Sequence, residues 1–177
     1  MYQLRISLEE VDPPIWRRLL VPGDLPLASL HDVFQVAMGW TDSHLHAFTV
    51  GKNRYGMHFE DHPAGELDET AYTVLAAIGR QRRFRYEYDF GDNWQHDVVV
   101  EDTSATPIGL TSPVCLDGQR ACPPDDCGGS WGYANLLEAI ADPKHEEHDE
   151  LIEWVGGDFD PEEFDLATTN AALQTIR

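Results

Sequence analysis

Hydrophobic and polar residues alternate strictly at the start of the chain, where Tyr2, Leu4, Ile6 and Leu8 interleave with Gln3, Arg5, Ser7 and Glu9. A period of two sends successive side chains to opposite faces, so the segment reads as a strand with one buried face. Asp12-Pro13-Pro14 breaks the run, and Ile15 to Val21 reads as its hairpin partner. After Pro22-Gly23-Asp24 the period changes. Leu27, Leu30, Phe34 and Met38 recur at helical spacing, Val33 and Ala37 widen the apolar stripe, and Gly39 ends the helix. Residues 43–50 read as a further strand, 51–54 as turn-rich, 58–70 as irregular and 74–78 as a short helix.

The clearest hairpin comes next. Phe84, Tyr86, Tyr88 and Phe90 alternate with Arg83, Arg85, Glu87 and Asp89. Beyond the turn Gly91-Asp92-Asn93, the residues Trp94, His96, Val98 and Val100 alternate with Gln95, Asp97, Val99 and Glu101. This pairing sets Tyr88 opposite His96 and Tyr86 opposite Val98. Residues 102–130 carry four prolines and four glycines and read as one long loop. Helical spacing returns at Tyr133, Leu136, Leu137 and Ile140, with Ser130 as a cap, and again at His148, Leu151, Ile152 and Val155. Asp160-Pro161-Glu162-Glu163 reads as a fresh helix start, and Ala172 to Ile176 as a last short helix. Strands come first and helices last. That order predicts an α+β fold, a mostly antiparallel sheet with one early helix and a C-terminal set of helices, in a single domain over residues 1–177.

Composition narrows the function. The chain holds 32 acidic and 12 basic residues, a formal net charge of −20, and only two of the bases are lysines. Phosphate backbones are bound by neutralising them, so this field disfavours direct nucleic-acid binding and anionic membrane surfaces. No run approaches the roughly 20 apolar residues that cross a bilayer, and no basic segment leads into an apolar stretch at the N-terminus. Three cysteines are an odd number and argue against a secreted disulfide framework. A cytoplasmic protein is the expectation.

Three groups of residues could carry chemistry. If the His44-x-His46 strand adjoins the aromatic hairpin, His44, His46, Tyr88, Asp92, Trp94 and His96 line one pocket. On that reading Trp94→Ala abolishes ligand binding and spares the fold. The same imidazoles offer a metal set of His44, His46, Asp92 and His96. Cys115, Cys122 and Cys127 form a weaker set, since C-x6-C-x4-C is wider than the paired C-x2-C of zinc ribbons. No cofactor is expected, and zinc is the ion either set would take. Cys127-Gly128-Gly129-Ser130 could cradle an anion, but Asp125 and Asp126 precede it and the Lys-Ser/Thr of a phosphate loop is missing. Cys122 and Cys127 lie among carboxylates that oppose a thiolate nucleophile.

Five ordered strings bring a family into view. They are Pro14-Ile15-Trp16-Arg17-Arg18, Leu30-His31-Asp32-Val33-Phe34-Gln35 with Met38-Gly39-Trp40, and Tyr88-Asp89-Phe90-Gly91-Asp92-Asn93-Trp94. The others are Arg120-Ala121-Cys122-Pro123-Pro124-Asp125-Asp126-Cys127-Gly128-Gly129 and Trp154-Val155-Gly156-Gly157-Asp158-Phe159-Asp160. Together they resemble the plasmid pRiA4b ORF-3-like family over nearly the whole chain. The resemblance implies a single α+β domain of bacterial or archaeal type, some of whose relatives carry a mobile-element label as resolvase-like proteins. That label fits poorly here. The one basic cluster, Arg80, Arg82, Arg83 and Arg85, has no nucleophilic serine beside it. It reads as the solvent face of the aromatic strand, or as a partner for residues 142–165, where eleven acids accompany one lysine. Two functions follow. The first is a binding or adaptor domain for a protein or small-molecule partner, using the aromatic and histidine-lined pocket or the acidic C-terminal helices. The alternative is a metal-dependent, hydrolase-like enzyme built on His44, His46, Asp92 and His96.

Overall fold

The computed structural model describes residues 1–57, 65–104 and 111–176. Eight strands form one sheet: β1 (Tyr2–Leu8), β2 (Trp16–Val21), β3 (His46–Val50), β4 (Asn53–Gly56), β5 (Glu66–Asp68), β6 (Arg83–Tyr88), β7 (Trp94–Asp102) and β8 (Val114–Gln119). Their order is β5-β4-β3-β6-β7-β1-β2-β8. Among the described strands, only β4 and β5 pair in parallel. The helices are α1 (Leu27–Met38), α2 (Val74–Ile78), α3 (Gly129–Ala141), α4 (His148–Val155) and α5 (Leu166–Leu173). The fold is therefore α+β with a mostly antiparallel sheet. None of the described helices is long and apolar enough to cross a membrane.

Alternation explains the sheet's two faces. Tyr2, Leu4, Ile6 and Leu8 are buried with Phe84, Tyr86, Tyr88, Trp94, His96 and Val98, and α1 covers this face. Phe34 of α1 meets Phe48 and Tyr86 at ring distances of 6.2 and 5.1 Å. The opposite face is a lattice of ion pairs, Arg18 with Glu101 at 2.7 Å, Arg83 with Asp97 at 2.9 Å and Arg85 with Glu9 at 3.8 Å. The arginine cluster thus decorates the solvent face, and these two arginines pair within the sheet and its first turn, away from the acidic C-terminal segment.

Several elements differ from the sequence reading. β4 and β5 are four and three residues long, too short for a periodic signal, and they lie where turn and irregular chain were expected. β8 occupies the middle of the supposed long loop. It survives as an edge strand because β2 supplies its ladder on one side and Asn170 of α5 holds Cys115 N and O on the other, at 2.8 and 2.9 Å. No helix starts at Asp160, since residues 160–163 form a turn and α5 begins at Leu166, capped by the Asp165 carboxylate. The cap of α3 is Gly128 in place of Ser130.

A buried arginine joins these parts. Arg17 donates to the carbonyls of Ala37, Trp16, Gln119 and Arg120 at 2.7–2.8 Å, and lies 4.2 Å from the centre of the Phe164 ring. Gly118 is opposite it on β8, where a Cβ would fall 2.7 Å from both Arg17 Cδ and Phe164 Cζ. Only glycine admits that stack.

Candidate functional site

The aromatic hairpin pairs two residues out of the expected register. Tyr88 faces Trp94, Tyr86 faces His96 and Phe84 faces Val98, because β6 ends at Tyr88 and Asp89 turns away in a left-handed conformation (φ 56°). The stripe still shares one face, but it is core. Tyr88, Trp94, His96 and His46 are all buried, His96 at 0% and Trp94 at 2% exposure. Trp40 seals them, with ring centres 4.7 Å from Tyr88, 6.2 Å from Trp94 and 5.1 Å from His96, and its indole N–H donates to Pro123 O. The side chains expected to line an open pocket along this stripe are thus buried in the core beneath Trp40.

His96 Nδ1 lies 3.1 Å from Tyr86 O. Burial pushes its pKa down to about 4. The unfolded chain then binds a proton that the folded chain refuses, so this stability is complete above about pH 6.5 and is lost as pH falls towards 4. In urea titrations between pH 7 and 4, His96→Gln is expected to lose less stability than the wild type. Parallel losses would show that His96 is already charged in the fold.

Among the described residues, the metal set expected at His44, His46, Asp92 and His96 does not come together with ligand spacing. His44 precedes β3, so the two-residue rule does not hold and its ring departs from that of His46. Asp92 Oδ2 instead accepts from Gly128 N at 3.0 Å. That bond, with Gly129, pins the chain before α3 onto the hairpin turn. Gly129 has φ 68°, and a Cβ there would stand 2.7 Å from Asp92 O. The cysteines form no metal set either. Among the described residues, the clusters with ligand spacing contain none of them. Burial raises the pKa of Cys115 and Cys122, and burial with the Asp92 charge pushes Cys127 up to about 12, so all three are ordinary thiols.

What the fold does bring together is His44 with Asp89 and Asp126. The imidazole Nε2 lies 3.0 Å from Asp126 Oδ1 and 3.5 Å from Asp89 Oδ2. Asp89 is prearranged. Its Oδ1 accepts from Gly91 N and Asp92 N at 2.9 and 3.3 Å, which leaves Oδ2 aimed at His44. The His44 nitrogen has no hydrogen-bond partner in line, despite the two carboxylates beside it. Asp125 completes the surroundings, accepting from Tyr88 Oη at 3.2 Å and Thr41 Oγ1 at 2.7 Å. Tyr88 Oη itself accepts from Ser43 N, and burial raises its pKa, so it stays a neutral donor. The His44 side chain is 27% exposed, but its Nε2 and Asp89 are buried, so the cluster meets solvent through Asp126, whose side chain is 72% exposed.

Asp126 also lines a cleft of about 320 Å³ between α3 and α4. Leu136, Leu151 and the half-exposed Trp154 give it an apolar wall, and Glu147 and Glu150 an acidic rim. Sequence reasoning misses Asp89, because alternation makes it the solvent-facing step of a regular strand. It also misses His31, against which His46 stacks. The signal there was a histidine and a glutamine, His31 and Gln35, inside the apolar stripe of α1.

The chain belongs to the plasmid pRiA4b ORF-3-like family, whose model matches residues 1–168. It is 38% identical to the uncharacterized protein y4hQ of Sinorhizobium fredii, over 98% of this chain and 91% of that protein. Its fold is similar to the crystal structure of a protein of unknown function, MM3350 from Methanosarcina mazei Go1. The TM-score is 0.86 at 36% identity, over 94% of this chain and 95% of that one.

Proposed function

We propose that this member of the plasmid pRiA4b ORF-3-like family binds a divalent cation at His44, Asp89 and Asp126 and uses it to hold a ligand seated in the α3–α4 cleft. The observation that carries this reading is the convergence of one imidazole and two carboxylates, with His44 Nε2 3.0 and 3.5 Å from the Asp126 and Asp89 oxygens and all three donor atoms within 4.8 Å of one another. One nitrogen and two hard oxygens suit manganese, magnesium or zinc, and three protein donors leave coordination positions for water and ligand. Such an ion acts as a Lewis acid on a carbonyl or phosphoryl oxygen and activates water, which is hydrolase-like chemistry. Glu147, Glu150 and Asp126 favour a neutral or cationic ligand over an anion, and Trp154 offers a face for a cationic group. The binding-domain and metal-dependent readings thus share one site.

Calorimetry with manganese tests it. Wild-type protein is expected to bind manganese at this site, and His44→Ala to weaken that event at least tenfold, as metal sites do when a supporting group is lost. His44 is only partly buried and lies outside the β-strands, so the variant is expected to keep its fold. Unchanged manganese binding by a folded His44→Ala protein would defeat the proposal.

A further inference from the structure

The α3–α4 cleft lies in an acidic stretch of the chain, residues 142–165, where eleven acids accompany one lysine. Little of that charge is balanced from within. None of the ion pairs among the described residues involves Glu147, Glu150 or Glu153. Neither α3 nor α4 carries a basic residue in its last turn, where one would complement the helix dipole. The rim is also placed. Glu147 accepts from Asn135 Nδ2 at 3.0 Å, a bond that spans the cleft and fixes the carboxylate at its edge.

Between these carboxylates the cleft is apolar. Leu136 is buried at its wall, Leu151 is partly buried, and Trp154 near the end of α4 is 47% exposed. A second indole, Trp131, is 88% exposed on α3, one turn before the cleft residue Asn135. Indoles set among unpaired carboxylates suit one kind of visitor. A guanidinium stacks flat on the ring while its N–H fork reaches a carboxylate, and an ammonium lacks that shape. Tryptophan is also a residue enriched at the energetic centres of protein interfaces.

We propose that the α3–α4 cleft docks an arginine-bearing basic segment of a partner protein, with one arginine held between Trp154 and the Glu147–Glu150 rim. This names the ligand of the preceding reading, and it rests on that reading only in taking the cleft as the ligand's seat. A volume of about 320 Å³ is near the small end of ligand sites, roughly 300–1,000 Å³, and suits a side chain better than a large cofactor. The acids run well past the rim, from Asp142 to Asp165, which matches a chain with several positive charges better than one small amine. A second copy of this chain is a poor occupant. Each copy brings a net charge of −20, and Arg83 and Arg85 already pair with Asp97 and Glu9 on the sheet. The same sign repels nucleic acid.

Fluorescence anisotropy with a labelled peptide of alternating arginine and leucine, in chelator and at near-physiological salt, tests the docking. Wild-type protein is expected to bind it, and to bind the same peptide with neutral citrulline for arginine at least about tenfold more weakly. Trp154→Ala should weaken binding at least about tenfold. Glu150→Gln should weaken it at least about threefold, while Asp149→Asn, on α4 but outside the cleft lining, should change it less than about twofold. Trp154 and Glu150 are exposed, so both variants should keep the wild-type circular dichroism. No binding by the wild type would overturn the proposal, as would a folded Trp154→Ala protein that binds normally. Equal losses in Asp149→Asn and Glu150→Gln would reduce the attraction to diffuse charge and overturn it too. Arginine amide binding as tightly as the peptide would give the cleft to a small cation. Dimers that form without peptide and vanish in Trp154→Ala, seen by sedimentation velocity, would give it to a second copy. Either result overturns the proposal. Peptide binding lost with manganese binding intact defeats this inference alone, and the reverse defeats the cation alone.

Discussion

Trp94→Ala is expected to lower the free energy of unfolding by about 3–5 kcal/mol, the range found when a large aromatic is truncated in a packed core. Trp94 is buried on β7 between Tyr88 and Trp40, under the chain that carries Pro123. Removing the indole opens a hole that a strand on one side and a hydrogen-bonded indole on the other cannot close. Trp131 is the control. It is 88% exposed at the start of α3, and Trp131→Ala should change stability by less than about 0.5 kcal/mol. Urea unfolding of the two variants separates core from surface. A well-folded Trp94→Ala protein of wild-type stability would mean that the aromatic stripe is a pocket wall after all.

Arg17→Met is expected to cost on a similar scale, at least about 3 kcal/mol. Burial lowers the guanidinium pKa, yet arginine stays charged, and its hydrogen bonds among the described residues go to main-chain carbonyls. Four main-chain carbonyls do the work, from the end of α1, from β2, and from the end of β8 and the residue after it. Methionine fills the volume but leaves those oxygens without donors. Arg17→Lys should recover little, because one ammonium cannot reproduce a planar fork that reaches three segments at once. Thermal melting and urea midpoints for both variants provide the check. A lysine variant as stable as the wild type would show that charge, and not geometry, is what the position requires.

How much of this was legible in the sequence depends on the range of the interaction. β1 and the β6–β7 hairpin announce themselves through alternation, and α1 through its stripe from Leu27 to Met38, because each element writes its own burial into local spacing. β5 and β8 do not. They exist through partners, β4 for Glu66–Asp68 and β2 with Asn170 for Val114–Gln119, and carry no pattern of their own. The same divide runs through the site. His44 was legible as a candidate, but its companions depend on two left-handed residues, Asp89 and Asp126. Those dihedrals are visible only once the turn after β6 and the chain before α3 are folded together. His46 was assigned to His44 by proximity along the chain, whereas space gives it to His31. A histidine placed on an apolar helix face was the available clue, and it pointed to the more deeply buried cluster.

Anomalous diffraction from crystals soaked in manganese would locate a cation at His44, Asp89 and Asp126. The expected result is a single strong peak about 2.1–2.3 Å from His44 Nε2, Asp89 Oδ2 and Asp126 Oδ1, absent from His44→Ala crystals. A map with no peak there at saturating manganese would contradict the claim, as would one in which the three side chains bind the ion no better than scattered surface carboxylates.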